Sequence, residues 1–250
     1  MRNLVSAILE PFGLKIERIR KDPSFFVPEI SNEQADEISI GSRYSMTTIE
    51  RQWALIQSIE YIHRAGIDGD IAECGVWRGG NLIIAAMVQR RLGRAATIWG
   101  YDTFEGMPAP TEVDRALHYE EVAAATFKKK QRGEFSDWCY CPIDEVKANL
   151  ARHQADVDVR LVKGKVEDTL VDPANLPERI ALLRLDTDWY ESTKIELEVL
   201  YPRLVPGGVL IIDDFGDWAG AQLAVEEYFC DRPVWMHRVD RACRLAVKQL

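Results

Sequence analysis

The chain has 250 residues, 47% of them hydrophobic, and a formal net charge of −9. That length holds one large α/β domain with a sizeable core, and the acidic balance argues against a general nucleic-acid binder and against attraction to anionic lipid. No apolar run approaches the roughly 18 residues of a membrane span, and residues 1–19 lack the continuous apolar segment and cleavage site of a signal peptide.

Residues 1–40 read as an N-terminal extension. Residues 5–19 have mixed helical spacing, Pro23 and Pro28 break it, and Phe25, Phe26 and Val27 are expected to pack onto the domain. Residues 41–250 read as one domain. Over residues 45–64, Ile49, Trp53, Ile56, Ile59 and Ile62 recur at helical spacing, with Ser45 or Thr47 as cap and Glu50 completing a capping box with Thr47. A strand at 70–74, a helix at 81–92 and a strand at 97–101 ending at Asp102 follow. The stretch 108–154 is an irregular insert. Its Lys128, Lys129 and Lys130 read as a solvated face, and its aromatics, Phe127, Phe135, Trp138 and Tyr140, read equally as a lid or as packing. Then come a helix at 144–152, a strand at 157–162 and a loop from Gly164 to Leu170. The strand Ile180–Leu185, a helical run, a turn at Pro206, Gly207 and Gly208, and a strand at 209–212 form the next unit. A helix at 220–229 and an antiparallel pair, 234–239 and 243–248, close the chain. This alternation specifies a doubly wound, Rossmann-like, mostly parallel sheet of seven strands, covered on both faces.

Two strands end in acid: Asp186 and Asp188 after the first, Asp213 and Asp214 after the second. A strand–helix–strand unit pairs its strands in parallel, so these four meet at the carboxyl edge, where open α/β sheets bind ligands. Gathered carboxylates repel unless a cation neutralises them, and oxygen ligands suit Mg²⁺, Ca²⁺ or Mn²⁺. The alternative is that some of the four cap helices or loops. Residues 71–80 read I-A-E-C-G-V-W-R-G-G, a glycine turn between a strand and a helix. Gly75 permits a sharp turn. Trp77, however, stands where a dinucleotide fold needs its second glycine, which disfavours a nicotinamide oxidoreductase, and no phosphate-binding loop is present. Glu73 suits a cationic or zwitterionic ligand, and Asp102 is placed to accept hydrogen bonds from a ribose diol. A purely structural glycine turn with a buried Glu is the alternative. None of the four histidines shares a metal-ligand spacing with another, and His118 reads as a surface residue. The five cysteines, Cys74, Cys139, Cys141, Cys230 and Cys243, are irregularly spaced and read as reduced thiols of a cytoplasmic protein.

E-C-G-V-W-R-G-G, Y-D-T-F-E-G-M-P, K-G-K-V-E-D-T-L, L-R-L-D-T-D-W-Y-E-S-T and P-G-G-V-L-I-I-D-D-F, in register, resemble the macrocin O-methyltransferase family. These are class I S-adenosylmethionine enzymes that methylate sugar hydroxyls. The resemblance implies Mg²⁺, or another divalent cation, on Asp186, Asp213 and Asp214, with Asp188 as general base. It implies Glu73 and Gly75 at the amino-acid part of S-adenosylmethionine, and Asp102 at its ribose. Thr103 and Phe104 would lie by the adenosine, Val166 and Glu167 by the adenine, and Asp186 beside the cofactor. Ser45, Met46 and Thr47 would cover the methionine carboxylate. Departures from the family pattern lie in the insert and the N-terminus, which leaves the acceptor open: a sugar, glycoside or similar polyol. A catechol-type O-methyltransferase and a non-catalytic module that binds S-adenosylmethionine are the alternatives. A homo-oligomer is permitted.

Overall fold

The structure is a computed structural model that describes residues 23–118, 123–133, 135–156 and 158–249. The helical spacing at residues 5–19 lies outside them. The strands, numbered in chain order, are β1 (Asp70–Cys74), β2 (Ile98–Asp102), β3 (Gln131–Arg132), β4 (Phe135–Ser136), β5 (Val159–Lys163), β6 (Ile180–Leu185), β7 (Leu204–Ile212), β8 (His237–Arg238) and β9 (Arg244–Val247). Seven of them form one sheet in the order β5-β2-β1-β6-β7-β9-β8, and β3 and β4 make a small hairpin. The first five strands of that order are parallel; β9 runs antiparallel to β7, and β8 to β9.

The helices are α1 (Pro23–Phe26), α2 (Asn32–Gly41), α3 (Ile49–Arg64), α4 (Gly80–Leu92), α5 (Ala123–Lys130), α6 (Ile143–Arg152), α7 (Val166–Thr169), α8 (Tyr190–Val199) and α9 (Ala219–Phe229). Alternate side chains of a strand face opposite sides, so the sheet has two cores. On one face, Ile38, Ile56, Ile59, Ile62, Ile83 and Val88 of α2, α3 and α4 cover Ile71, Ile98, Leu182 and Ile211. On the other, Leu197, Leu200 and Val225 pack over Ala72, Trp99, Leu183, Leu185 and Leu210. Each such large apolar side chain contributes about 1.5–3 kcal/mol when buried. All six residues of β6 are buried, as a central strand covered on both sides requires. At the start of α4, a Cβ on Gly80 would stand 2.6 Å from Gly41 O, so α2 and α4 meet at backbone contact.

Three expectations change. Helix α3 is capped by Thr48, whose Oγ1 accepts from Arg51 N at 3.3 Å. Thr47 instead points inward, its hydroxyl accepting from Asn81 and Arg184. Pro206, Gly207 and Gly208 lie inside β7 rather than before it. Ile180 pairs with Leu204 but Leu182 with Val209, so the turn is an irregularity within the strand, made possible by Gly207 at φ 81°. Of Phe25, Phe26 and Val27 only Val27 is buried; the two rings pack edge-on against each other, with Phe25 74% exposed.

Candidate active site

Strand β1 lies between β2 and β6, and the chain winds outward from it in both directions. That switch point opens a crevice at the carboxyl edge. The ladder continues one residue past the strands: Gly75 N donates to Tyr101 O at 2.8 Å, Asp186 N to Cys74 O at 2.9 Å, and Asp213 N to Leu185 O at 2.9 Å. Gly75, Asp186 and Asp213 therefore stand abreast. A Cβ on Gly75, at φ 86°, would fall 1.9 Å from Asp186 O, so no side chain fits there. A cavity of ≈ 350 Å³ opens above, within the size range of small-molecule sites. Ser45, Met46, Thr47, Gly75, Asp102, Thr103, Val166, Glu167, Asp186, Asp188, Asp213 and Asp214 all line it; Glu73 and Phe104 do not.

Glu73 turns away because its register partner on β6 is Arg184. Cross-strand partners share a face, so Glu73, the buried acid of β1, and Arg184, the one base of β6, are buried together. Arg184, 2% exposed, donates through Nη1 to Glu73 Oε1 and Asp186 Oδ2, both at 2.7 Å, and through Nη2 to Asp213 Oδ1 at 2.6 Å. Arg51, from the first turn of α3, donates to Asp213 Oδ2 from the other side and to Asp240 Oδ2 at 2.7 Å. Two guanidiniums thus neutralise part of the acidic edge. Burial works against the charge on Arg184, but the carboxylates of Asp186, Asp213 and Glu73 outweigh it and hold the group protonated. Burial pushes Glu73 up to about 7 against the pull of Arg184. The sequence signal for this network was a lone arginine in a wholly apolar strand, which must find buried partners. Phe104 joins the core at φ 53°, its N–H donating to Asp102 Oδ1 at 2.8 Å. Asp102 Oδ2 accepts from Val76 N and Trp77 N at 2.7 and 2.9 Å, so this carboxylate also ties the turns after β1 and β2 together. Asn81, which the sequence reading missed, lines the cavity, and its buried Oδ1 has no hydrogen-bond partner.

Carboxylate oxygens of Asp186, Asp213 and Asp214 lie within 4.8 Å of one another. Asp214 Oδ2 is buried and without a hydrogen-bond partner. Asp188 sits against Asp214 and against the Trp218 side chain, in a left-handed conformation at φ 68°. Burial and then the charge of Asp186 raise Asp188; burial and then the charge of Asp188 raise Asp214 well above the usual carboxylate range. Facing carboxylates with an orphaned oxygen are what a hard divalent cation would satisfy, so the donor set fits one. Trp77 and Cys139 also line the cavity with positive φ, 45° and 54°; backbone strain gathers here as it does at functional sites.

The insert supplies one wall. Met107 N donates to Trp138 O at 2.8 Å, and Asp114, 2% exposed, accepts from Tyr190 N at 2.8 Å, which fixes the insert to the start of α8. Trp138 and Trp218 line the cavity with Trp189 behind them; ring centroids are 5.6 Å apart for Trp138 and Trp189, and 4.9 Å for Trp189 and Trp218. Phe135 and Tyr140 pack against each other at the surface with their rings tilted by 37°, and Lys128, Lys129 and Lys130 are exposed. His118 is exposed and outside the cavity lining. The five cysteines are free.

The model of the family described as Macrocin-O-methyltransferase (TylF) matches residues 13–245. The chain belongs to the macrocin O-methyltransferase family. Among curated members, it is 38% identical over 174 residues to the 8-demethyl-8-(2,3-dimethoxy-alpha-L-rhamnosyl)-tetracenomycin-C 4'-O-methyltransferase of Streptomyces olivaceus, covering 69% of this chain and 62% of that one. It is 35% identical over 174 residues to the mycinamicin III 3''-O-methyltransferase of Micromonospora griseorubida, covering 69% of this chain and 65% of that one. The match thus spans less than two thirds of either relative's length. The solved O-methyltransferase NovP superposes with a TM-score of 0.70 at 29% identity, over 83% of each chain. The α/β fold with its seven-stranded sheet is close to that of this solved structure. Among the described residues, no helix is long and apolar enough to cross a membrane.

Proposed function

We propose that this chain is an O-methyltransferase that carries the methyl group of S-adenosylmethionine to a hydroxyl of a sugar, glycoside or similar polyol. In this reading Asp186, Asp213 and Asp214 hold Mg²⁺ or another divalent cation, and Asp188 is the general base. Family membership supports the reaction class, and the two relatives above are named O-methyltransferases, the first of them of a rhamnosyl-tetracenomycin. The observation that carries the metal reading is Asp214 Oδ2, buried and unpartnered beside two further carboxylates.

The residues divide the work. Gly75 gives the ligand close access to the backbone of β1, and the orphaned Oδ1 of Asn81 fits an ammonium donor, the task expected of Glu73. Asp102 and Thr103 would meet the ribose, Val166 and Glu167 the adenine, while Ser45, Met46 and Thr47 close over the carboxylate end. Asp188 would take the proton of the reacting hydroxyl, a contribution typically worth about 10²–10⁴-fold in rate. Its raised proton affinity suits that task. Trp138 and Trp218 present apolar faces against which an acceptor ring can rest, holding it for in-line attack. When bound, S-adenosylmethionine supplies a methyl on a sulfonium, and a divalent cation supplies a Lewis acid that lowers the pKa of a nearby hydroxyl.

Calorimetric titration of S-adenosylmethionine and of Mg²⁺ tests the reading. Wild type should bind both, and Asp213→Ala should bind only S-adenosylmethionine. Absence of S-adenosylmethionine binding by wild type would overturn the reaction. The aromatic wall also accommodates a flat catechol; methyl transfer to a catechol but not to a rhamnoside would favour that acceptor.

A further inference from the structure

Both oxygens of Asp213 are already taken. Oδ1 accepts from Arg184 Nη2 at 2.6 Å, and Oδ2 accepts from Arg51 Nη1. A divalent cation at this edge needs carboxylate oxygen, and a guanidinium on the same oxygen both occupies a lone pair and repels the ion.

The two arginines are not equivalent. Arg184 is 2% exposed and is wedged among Glu73, Asp186 and Asp213 at the end of a central strand. Arg51 lines the cavity and keeps other acidic partners: Nε donates to Asp240 Oδ2 at 2.7 Å, and Nη2 lies 3.6 Å from Asp217 Oδ2. Released from Asp213, it still has two carboxylates to rest on.

We propose that Arg51 is the internal rival of the divalent cation for Asp213 Oδ2. It neutralises Asp213 in the metal-free protein, rests on Asp217 and Asp240 in the loaded one, and so sets the cation affinity of the site. The inference rests on the cation site proposed above. Its distinguishing consequence is a gain: removing Arg51 tightens cation binding, whereas damage to the fold would weaken it.

The experiment is a titration of wild type and Arg51→Met with Mg²⁺ by calorimetry and with Mn²⁺ by electron paramagnetic resonance, without methyl donor or acceptor. The dissociation constant for Arg51→Met should fall by about tenfold or more. Its melting temperature without cation should lie below that of wild type and should rise further with added Mg²⁺. Arg51→Gln repeats the test if the Met variant does not fold. Arg241→Gln removes a positive charge that lies 2.5 Å from Asp217 but does not touch Asp213; it should change the affinity far less. Cation binding by wild type that Arg51→Met leaves unchanged or weakens overturns the inference and spares the metal reading. So does an equal gain in Arg241→Gln. Absence of cation binding in wild type and both Arg51 variants overturns the metal reading and this inference with it.

Discussion

The acidic edge beneath the cavity has two halves built on opposite principles. On the β1–β6 side, Glu73, Asp186 and Asp213 each accept from a guanidinium. On the side of Trp218, Asp188 and Asp214 face one another, and Asp214 Oδ2 has no partner. A buried carboxylate with its arginine is a solved electrostatic problem; two facing carboxylates are solved only by a proton or a cation. The first half is therefore neutralised within the fold while the second is not, and substitutions should separate them.

The largest effect is expected at the centre of the paired half. Arg184→Met leaves the buried Glu73 and Asp213 and the half-buried Asp186 without their shared cation. Stripping one partner from such a network costs about 3–5 kcal/mol, so urea unfolding should show a much reduced midpoint or no folded protein. A loss below about 1 kcal/mol would show the network to be incidental to the fold. In the unpaired half, Asp188→Asn removes one of two repelling carboxylates. Stability should hold or rise slightly while turnover falls about 10²–10⁴-fold and S-adenosylmethionine affinity is kept. Loss of that affinity with turnover preserved would remove Asp188 from the base role.

A pH series sharpens the contrast. Burial raises Glu73 to about 7, from an ordinary 4.5, so the folded protein holds this proton more tightly than the unfolded chain. The folded state then gains from protonation at low pH, and that gain is lost as pH rises from the ordinary value through the raised one. Glu73→Gln should flatten this fall. The check is the difference in urea midpoint between pH 5 and pH 8, which should be smaller in the variant than in wild type. An equal difference in both would place Glu73 outside the titrating set.

The strand ends were legible because apolar runs terminating in Asp186 and Asp213 state both where a strand stops and which edge it reaches. The neutralising cations were not. Arg184 follows I-A-L-L, and only the register with β1 shows that it meets Glu73. That register fixes Glu73 against Arg184, away from the cavity that Asn81 lines. Arg51 needed the orientation of α3 as well, since Asp213 and Asp240 lie 162 and 189 positions away in sequence. Phe104 stands outside the cavity lining for a local reason: the Asp102 carboxylate draws the main chain around itself and turns the ring into the core. Spacing along a chain carries periodicity; it does not carry the pairing of charges from separate elements.

The smallest effect distinguishes two adjacent threonines. Thr48 is exposed and caps α3 through Arg51 N, with a second hydrogen bond of the same length, 3.3 Å, from its hydroxyl to Asp240. Thr47 accepts from Asn81 Nδ2 at 3.1 Å and Arg184 Nη2 at 3.2 Å and lines the cavity. Thr48→Ala should cost about 1 kcal/mol, the usual worth of an N-cap, with S-adenosylmethionine binding unchanged. Thr47→Val keeps the volume but removes the acceptor from Asn81 and Arg184. It should weaken S-adenosylmethionine binding at a similar cost in stability, because the hydroxyl it loses serves the paired half and the cavity at once. Should the two variants lose stability equally and leave binding equally intact, Thr47 would count as a second cap, and the paired half would not reach the cofactor through this segment.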